Sequence, residues 1–348
     1  MFLRSDNMAG VHPEILAAMA ACNGGNVAPY GGDPWTAQLE ARMAEVFGAP
    51  LRVFCVPSGT AANALALSSL AGPFDLIACH TAAHAFGNEC GATEAFSGGA
   101  RFLPIAGADG RIDLEAARAA FVARVDSRHD DYRLRALTLT ELTEAGTAYS
   151  ADAMRALGDL AHEHGLTVHV DGARLPNALA ATGAHPADLT WRAGVDVLSF
   201  GGTKNGTMGA DAVVFFDLAW AEDFERRQKR GGHALSKARF LSVQLLRYLE
   251  GDLWLDNARH ANAQAARLAA VLRATPGVSL LHPVDGNIVF AAFRPDVLAK
   301  LERAGIALRL KGARADGTQG ARLVTSFATE PAEIDAFAAA LEGTAARS

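Results

Sequence analysis

Apolar and polar positions alternate along the middle of the chain with two different periods. Short apolar runs read as strands: Leu51–Val56, Leu76–Cys79, Phe102–Ile105, Ala136–Thr140, Thr167–Val170 and Asp196–Phe200. Stretches of helical pattern separate them. They are Ala61–Leu70, a helix from Asp113 to Val125 with Asp113 as its cap, and Asp152–His164, after which Gly165 sits where a helix stop belongs. Alternation of this kind over about 150 residues predicts a mostly parallel sheet with helices on both faces. Ala212–Phe216 follows the strand at 196–200 too soon for a crossover helix, so that pair is expected to be antiparallel.

From about Asp252 the pattern changes. A long Ala-rich helix, Asp256–Arg273, precedes strands at Val278–Leu281, Ile288–Phe293, Leu308–Leu310 and Leu323–Thr325, with helices at Asp296–Ala304 and Pro331–Leu341. This reads as a small α/β unit around an antiparallel sheet. The expected fold is therefore α/β: a large domain over residues 1–250 and a smaller C-terminal one over 251–348.

Composition narrows the class. The chain has 348 residues, half of them hydrophobic, with a net charge of −6, so it can bury a large core and lacks a nucleic-acid footprint. The one basic run, Arg226, Arg227, Lys229 and Arg230, follows Glu222, Asp223 and Glu225 and reads as a solvated helix face or a local anion site. Cys22, Cys55, Cys79 and Cys90 form no CxxC pair, and Cys55 and Cys79 sit in apolar runs, as packing residues do. A reducing cytoplasm fits. The start, MFLRSDNMAG, has no apolar signal core, and no apolar stretch is long enough for a membrane span.

Three chemically able residues fall just after predicted strands: Ser58, Asp171 and Lys204. In open α/β sheets ligands bind outside the carboxyl ends of the strands. Lysine is scarce, five among 32 basic residues, and Lys204 stands in the Gly-flanked loop SFGGTKNG. An exposed loop lysine is the ordinary reading. A carbonyl cofactor held as a Schiff base would explain a buried strand-end lysine, since burying a bare ammonium is costly, but the lysine alone favours the exposed loop. Asp171 reads either as a partner for a cofactor ring nitrogen or as half of a structural pair with Arg174. Ser58-Gly59-Thr60 offers helix N-terminal N–H groups to a phosphate, or is an ordinary cap; no P-loop motif occurs. His84, with Glu89 five residues on, reads as a stacking residue, a base or a hydrogen-bonded loop histidine; with His80 it lacks a convincing third metal ligand. Arg322 opens the strand RLVTS and calls for a carboxylate, either the substrate's or the protein's own.

In this order these residues resemble the threonine aldolase group of fold-type I pyridoxal-phosphate (PLP) enzymes. The matching segments are SDNMAGVHPEIL (5–16), YGGDPWT (30–36), PSGTAAN (57–63), HAFGNECGA (84–92), HVDGAR (169–174), SFGGTKNG (199–206) and RLVTS (322–326), spread over nearly the whole chain. HVDGAR followed some thirty residues later by Lys204 is the most specific pair. GGHALSKARF (231–240) resembles the bacterial low-specificity L-threonine aldolase branch that includes phenylserine aldolases.

The resemblance implies roles. Lys204 carries PLP as a Schiff base, and Asp171 pairs with the pyridinium nitrogen. Arg174 bonds the ring oxygen, His84 stacks on the ring, and Ser58, Gly59 and Thr60 cradle the phosphate. Arg322, with Ser5, holds the amino-acid carboxylate. It also implies a homotetramer built as a dimer of dimers, with active sites at subunit interfaces, where Lys229 or Arg230 reaches a neighbour's phosphate. One segment departs from the family pattern: ELTEAGTAYS (141–150) puts Glu144 where histidine is common. The implied reaction is cleavage of L-threonine and other L-3-hydroxy-α-amino acids to glycine and an aldehyde, with the base open between His84, Glu89 and water. Rival expectations are β-elimination from serine or its analogues on the same cofactor, and a noncatalytic module that binds a phosphorylated ligand.

Overall fold

The computed structural model describes residues 3–125 and 132–343; residues 1–2, 126–131 and 344–348 lie outside it. Seven strands form the main sheet: β1 (Arg52–Val56), β2 (Asp75–His80), β3 (Arg101–Ile105), β4 (Arg133–Thr140), β5 (Thr167–Gly172), β6 (Val197–Phe200) and β7 (Asp211–Phe215). Their order is β1-β7-β6-β5-β4-β2-β3. β7 runs antiparallel to both neighbours and every other pairing is parallel.

Both faces of this sheet are covered. Val53, Ala78, Leu137, Leu198 and Val214 join one apolar cluster, while Phe54, Ile77, Ala136, Val197 and Val213, each one residue away, join another. Every residue of β2, β5, β6 and β7 is buried, which is why these strands read as unbroken apolar runs rather than as alternation. Helix Gly59–Leu70 lies on the second face, and its Ala-rich sequence lets it sit deep.

The C-terminal third builds a separate antiparallel sheet of order β10-β11-β9-β8 from β8 (Val278–Leu280), β9 (Ile288–Phe293), β10 (Arg309–Ala313) and β11 (Gln319–Val324). Helices Leu253–Ala274 and Pro331–Glu342 pack on it. The N-terminus joins this unit: Leu3 is buried in its core, and Val324 N–H donates to the Leu3 carbonyl at 2.9 Å.

Among the helices that periodicity alone leaves out are Pro13–Ala21, Pro34–Phe47 and Arg239–Leu249. The second nevertheless carries its signals. Asp33 accepts from Thr36 N–H at 2.9 Å, Pro34 opens the helix, and Gly48 closes it in the left-handed conformation. Among the described residues no helix is long and apolar enough to cross a membrane.

Candidate active site

β1, β5 and β6 run parallel, so the loops that follow them emerge at one edge of the sheet. Asp171 ends β5 on the face that helix Gly59–Leu70 covers. Asn63 on that helix reaches it: its amide donates to Asp171 Oδ2 and to Glu89 Oε1, both at 2.9 Å. Glu89 Oε1 also meets His84 Nδ1 at 2.8 Å. The Glu89 side chain is sealed and His84 is one-third exposed, so Glu89 acts on a ligand only through His84. Its hydrogen bond holds the His84 ring above the ordinary imidazole range, against burial. Burial pushes Glu89 itself upward.

Lys204 lies in a short turn after β6. Asp211, at the start of antiparallel β7, anchors that turn by accepting from Gly202 N–H (2.8 Å), Thr203 N–H (3.1 Å) and Thr203 Oγ1 (2.9 Å). Gly201 lets it approach the 171–174 loop, for a Cβ there would lie 2.6 Å from both Cα and O of Ala173. Burial, followed by the charge of Arg174, pushes the Lys204 amine below the ordinary lysine range.

Arg174 corrects one reading of the sequence. It does not pair with Asp171. Its Nε and Nη2 clasp Asp6 at 2.7 and 3.1 Å, and both residues are buried. Burial opposes the Asp6 charge, but Arg174 outweighs it and keeps that carboxyl below its usual range. Asp171 Oδ1 accepts instead from Ala173 N–H at 3.1 Å.

Two cavities meet at Lys204. One, of about 430 Å³, is lined by Ser58, Gly59, Thr60, Asn63, Asp171 and Lys204. The other, of about 580 Å³, is lined by Ser5, Glu144, Arg174, Arg322 and Lys204. His84 lines both. Ser58 caps its helix by accepting from Ala61 N–H at 3.2 Å, and a Cβ on Gly59 would meet open space. Arg322 on β11 is buried, and among the described residues it has no carboxylate partner. Burial pushes its guanidinium down to about 10. Lys229 and Arg230 line a separate groove of about 810 Å³, where Lys229 stacks over Tyr30 at 4.2 Å. Cys79 is buried as expected; Cys55 is only partly buried, against Ser242.

Sequence reasoning missed Asn63, Asp6 and Asp211. Asn63 had a signal, a lone amide inside the apolar helix AANALAL, where a buried polar group needs a specific partner. Asp6 and Arg174 are 168 residues apart, so no local pattern links them.

The model of the family described as "Beta-eliminating lyase" matches residues 3–295. A low specificity L-threonine aldolase of Pseudomonas sp. (strain NCIMB 10558) is 41% identical over 338 residues, 96% of this chain and 95% of that one. The chain belongs to this family, in its threonine aldolase group. A threonine aldolase structure from Leishmania major superposes with a TM-score of 0.92 at 28% identity, covering 99% of both chains. A Sphingomonas wittichii serine palmitoyltransferase, at 15% identity and a TM-score of 0.70 over 98% of this chain and 86% of that one, shares the fold. The fold expected from the sequence, α/β of the fold-type I class, is the one observed.

Proposed function

We propose that this protein is a PLP-dependent aldolase that cleaves L-threonine and related L-3-hydroxy-α-amino acids, phenylserine among them, to glycine and an aldehyde. The observation that carries this reading is the meeting of the two cavities at Lys204, one furnished for a phosphorylated ring and the other for an amino-acid carboxylate.

The residues fit the cofactor. Lys204 would carry it, Asp171 would face its ring nitrogen, and His84 would lie against the ring. Ser58, Gly59 and Thr60 offer helix N-terminal N–H groups to its phosphate, and the open space at Gly59 leaves room for it. Arg174 retains Nη1 for the ring oxygen, since Asp6 takes only Nε and Nη2. When bound, PLP supplies an electron sink for the pair released as Cα–Cβ breaks.

The chain does the rest. The unpaired guanidinium of Arg322, with Ser5 beside it, holds the substrate carboxylate and so fixes which Cα bond faces the sink. Asp171, held by Asn63 and Ala173, would place its carboxyl where the ring nitrogen must stay protonated. Because Glu89 is sealed behind it, His84 is the side chain of that pair which can meet the β-hydroxyl proton, directly or through water. We assign residues 1–250 to the cofactor domain and 251–348 to the smaller one, with Leu3 packed into the smaller one's core. The working form is a cytoplasmic homotetramer, a dimer of dimers, with Lys229 and Arg230 at subunit contacts near a neighbour's phosphate site.

The purified protein should show visible absorbance from bound cofactor that shifts with glycine, and Lys204→Ala should lose that band. L-Threonine should yield glycine and acetaldehyde. Pyruvate and ammonia from L-serine, without glycine from threonine, would instead establish the β-elimination that the family description names. A protein that stays colourless with added PLP would refute both reactions and favour a phosphate-binding module.

A further inference from the structure

The chamber beside Lys204 holds more positive charge than an amino acid with one carboxylate can use. In the small sheet Arg309 lies opposite Arg322, and Arg322 opposite Phe290. All three line the 580 Å³ chamber, and so does Lys311, which sits at the register shift between Leu310 and Gly312. Like charges directly opposite on a sheet destabilise it, so packing does not explain this row. Charged residues on an edge strand guard against unwanted pairing, and β10 is an exposed edge. That guard works on any face, however, and does not require the charges to line a cavity with a buried arginine.

The remaining charges in the chamber are mostly occupied. Asp109 is bound to His282 at 3.0 Å and lies 3.6 Å from Arg111. Arg174 is taken by Asp6. Among the described residues, Arg309, Lys311 and Arg322 have no carboxylate in ion-pair contact. Among the described residues the one unpaired carboxylate facing them is Glu144, presented by a turn in which Thr143 N–H donates to the Thr147 carbonyl at 2.9 Å and Gly146 N–H donates back to the Thr143 carbonyl. With Lys204 set aside for the cofactor, three unpaired cations among the described residues thus face one carboxylate. A substrate with a single carboxylate neutralises one more and leaves a positive charge at the lip.

We propose that Arg309 and Lys311 form a second anion subsite, so that the chamber takes 3-hydroxy-2-amino acids whose β-substituent itself carries a carboxylate. This rests on the aldolase reading and names its substrate class. The chemistry is unchanged: Cα–Cβ breaks, its electron pair passes to the cofactor, the β-hydroxyl proton leaves as the carbonyl forms, and a proton returns to Cα. From 3-hydroxyaspartate the products are glycine and glyoxylate.

The test compares kcat/KM for L-3-hydroxyaspartate and L-threonine in the holoenzyme, in Arg309→Gln, in Lys311→Gln and in the double variant. The diacid should be cleaved, and the ratio of the two constants should fall about tenfold in the double variant, the size of one charged hydrogen bond. Added salt should lower the ratio for the native protein, because the subsite lies at the exposed lip. An unchanged ratio in the variants overturns the proposal, as does turnover of threonine without turnover of the diacid. A protein that cleaves neither substrate overturns the aldolase reading as well.

Discussion

His169 makes the acid stability of this fold calculable. It lies fully buried on β5, two residues before Asp171 and on the same face. Its Nδ1 meets Thr138 Oγ1 at 2.8 Å on β4, and its Nε2 meets Ser199 Oγ at 2.9 Å on β6. Burial lowers its pKa from 6.5 to about 4, although Asp171 pulls the other way. Above pH 6.5 the folded and unfolded states are both neutral here, and nothing is lost. As pH falls, the unfolded chain takes the proton first, so stability declines through the window from 6.5 to 4. At 1.36 kcal/mol per pH unit of difference, His169 alone removes about 2 kcal/mol between pH 7 and pH 5 and about 3 kcal/mol in full. Urea unfolding of the native protein and of His169→Gln, each at pH 7 and pH 5, isolates the effect, since the other titrating groups are common to both. The variant should lose about 2 kcal/mol less than the native protein over that interval. Equal losses would mean that His169 is protonated inside the fold, and the account of its burial would be wrong.

Two further outcomes follow from the site. Glu89→Gln removes the carboxylate that holds His84 above its usual range, so any limb of the kcat/KM profile set by His84 should move to lower pH; a limb that stays in place would assign it to another group. Gly201→Ala forces a Cβ against the Ala173 backbone, and retention of cofactor after dialysis should drop sharply while far-UV circular dichroism persists; full retention would show that the two loops move apart freely.

Much of this was legible because the chemistry sits where chain pattern is strongest. The strands that end at Gly172 and Phe200 are buried throughout, and Val53, Phe54 and Val56 are buried on β1, so their apolar runs marked them as strands and the residues after them as the ligand edge. The antiparallel β6–β7 pair could be read from its short connection. Other contacts were invisible because they join distant segments. Arg174 looks locally like a partner for Asp171, yet the forked geometry of Asp6 satisfies its guanidinium better. Asp211 stands just before the apolar run 212–216, and only the fold shows it opening that strand and gripping the turn that bears Lys204. The facing arginines on β10 and β11 depend on register, which the sequence leaves open when one strand is wholly exposed.

The clasp of the N-terminus has a consequence for synthesis. Asp6 receives hydrogen bonds from Arg174 and Asn287, and the carbonyl of Leu3 receives one from Val324. Residues 3–6 are therefore held by partners from three distant segments made later. The main sheet and the Asp6–Arg174 clasp can form once β7 has been made, but the carboxylate chamber stays unfinished until β11 follows. Between the synthesis of β7 and that of β11 the nascent chain can hold a paired sheet with an open site.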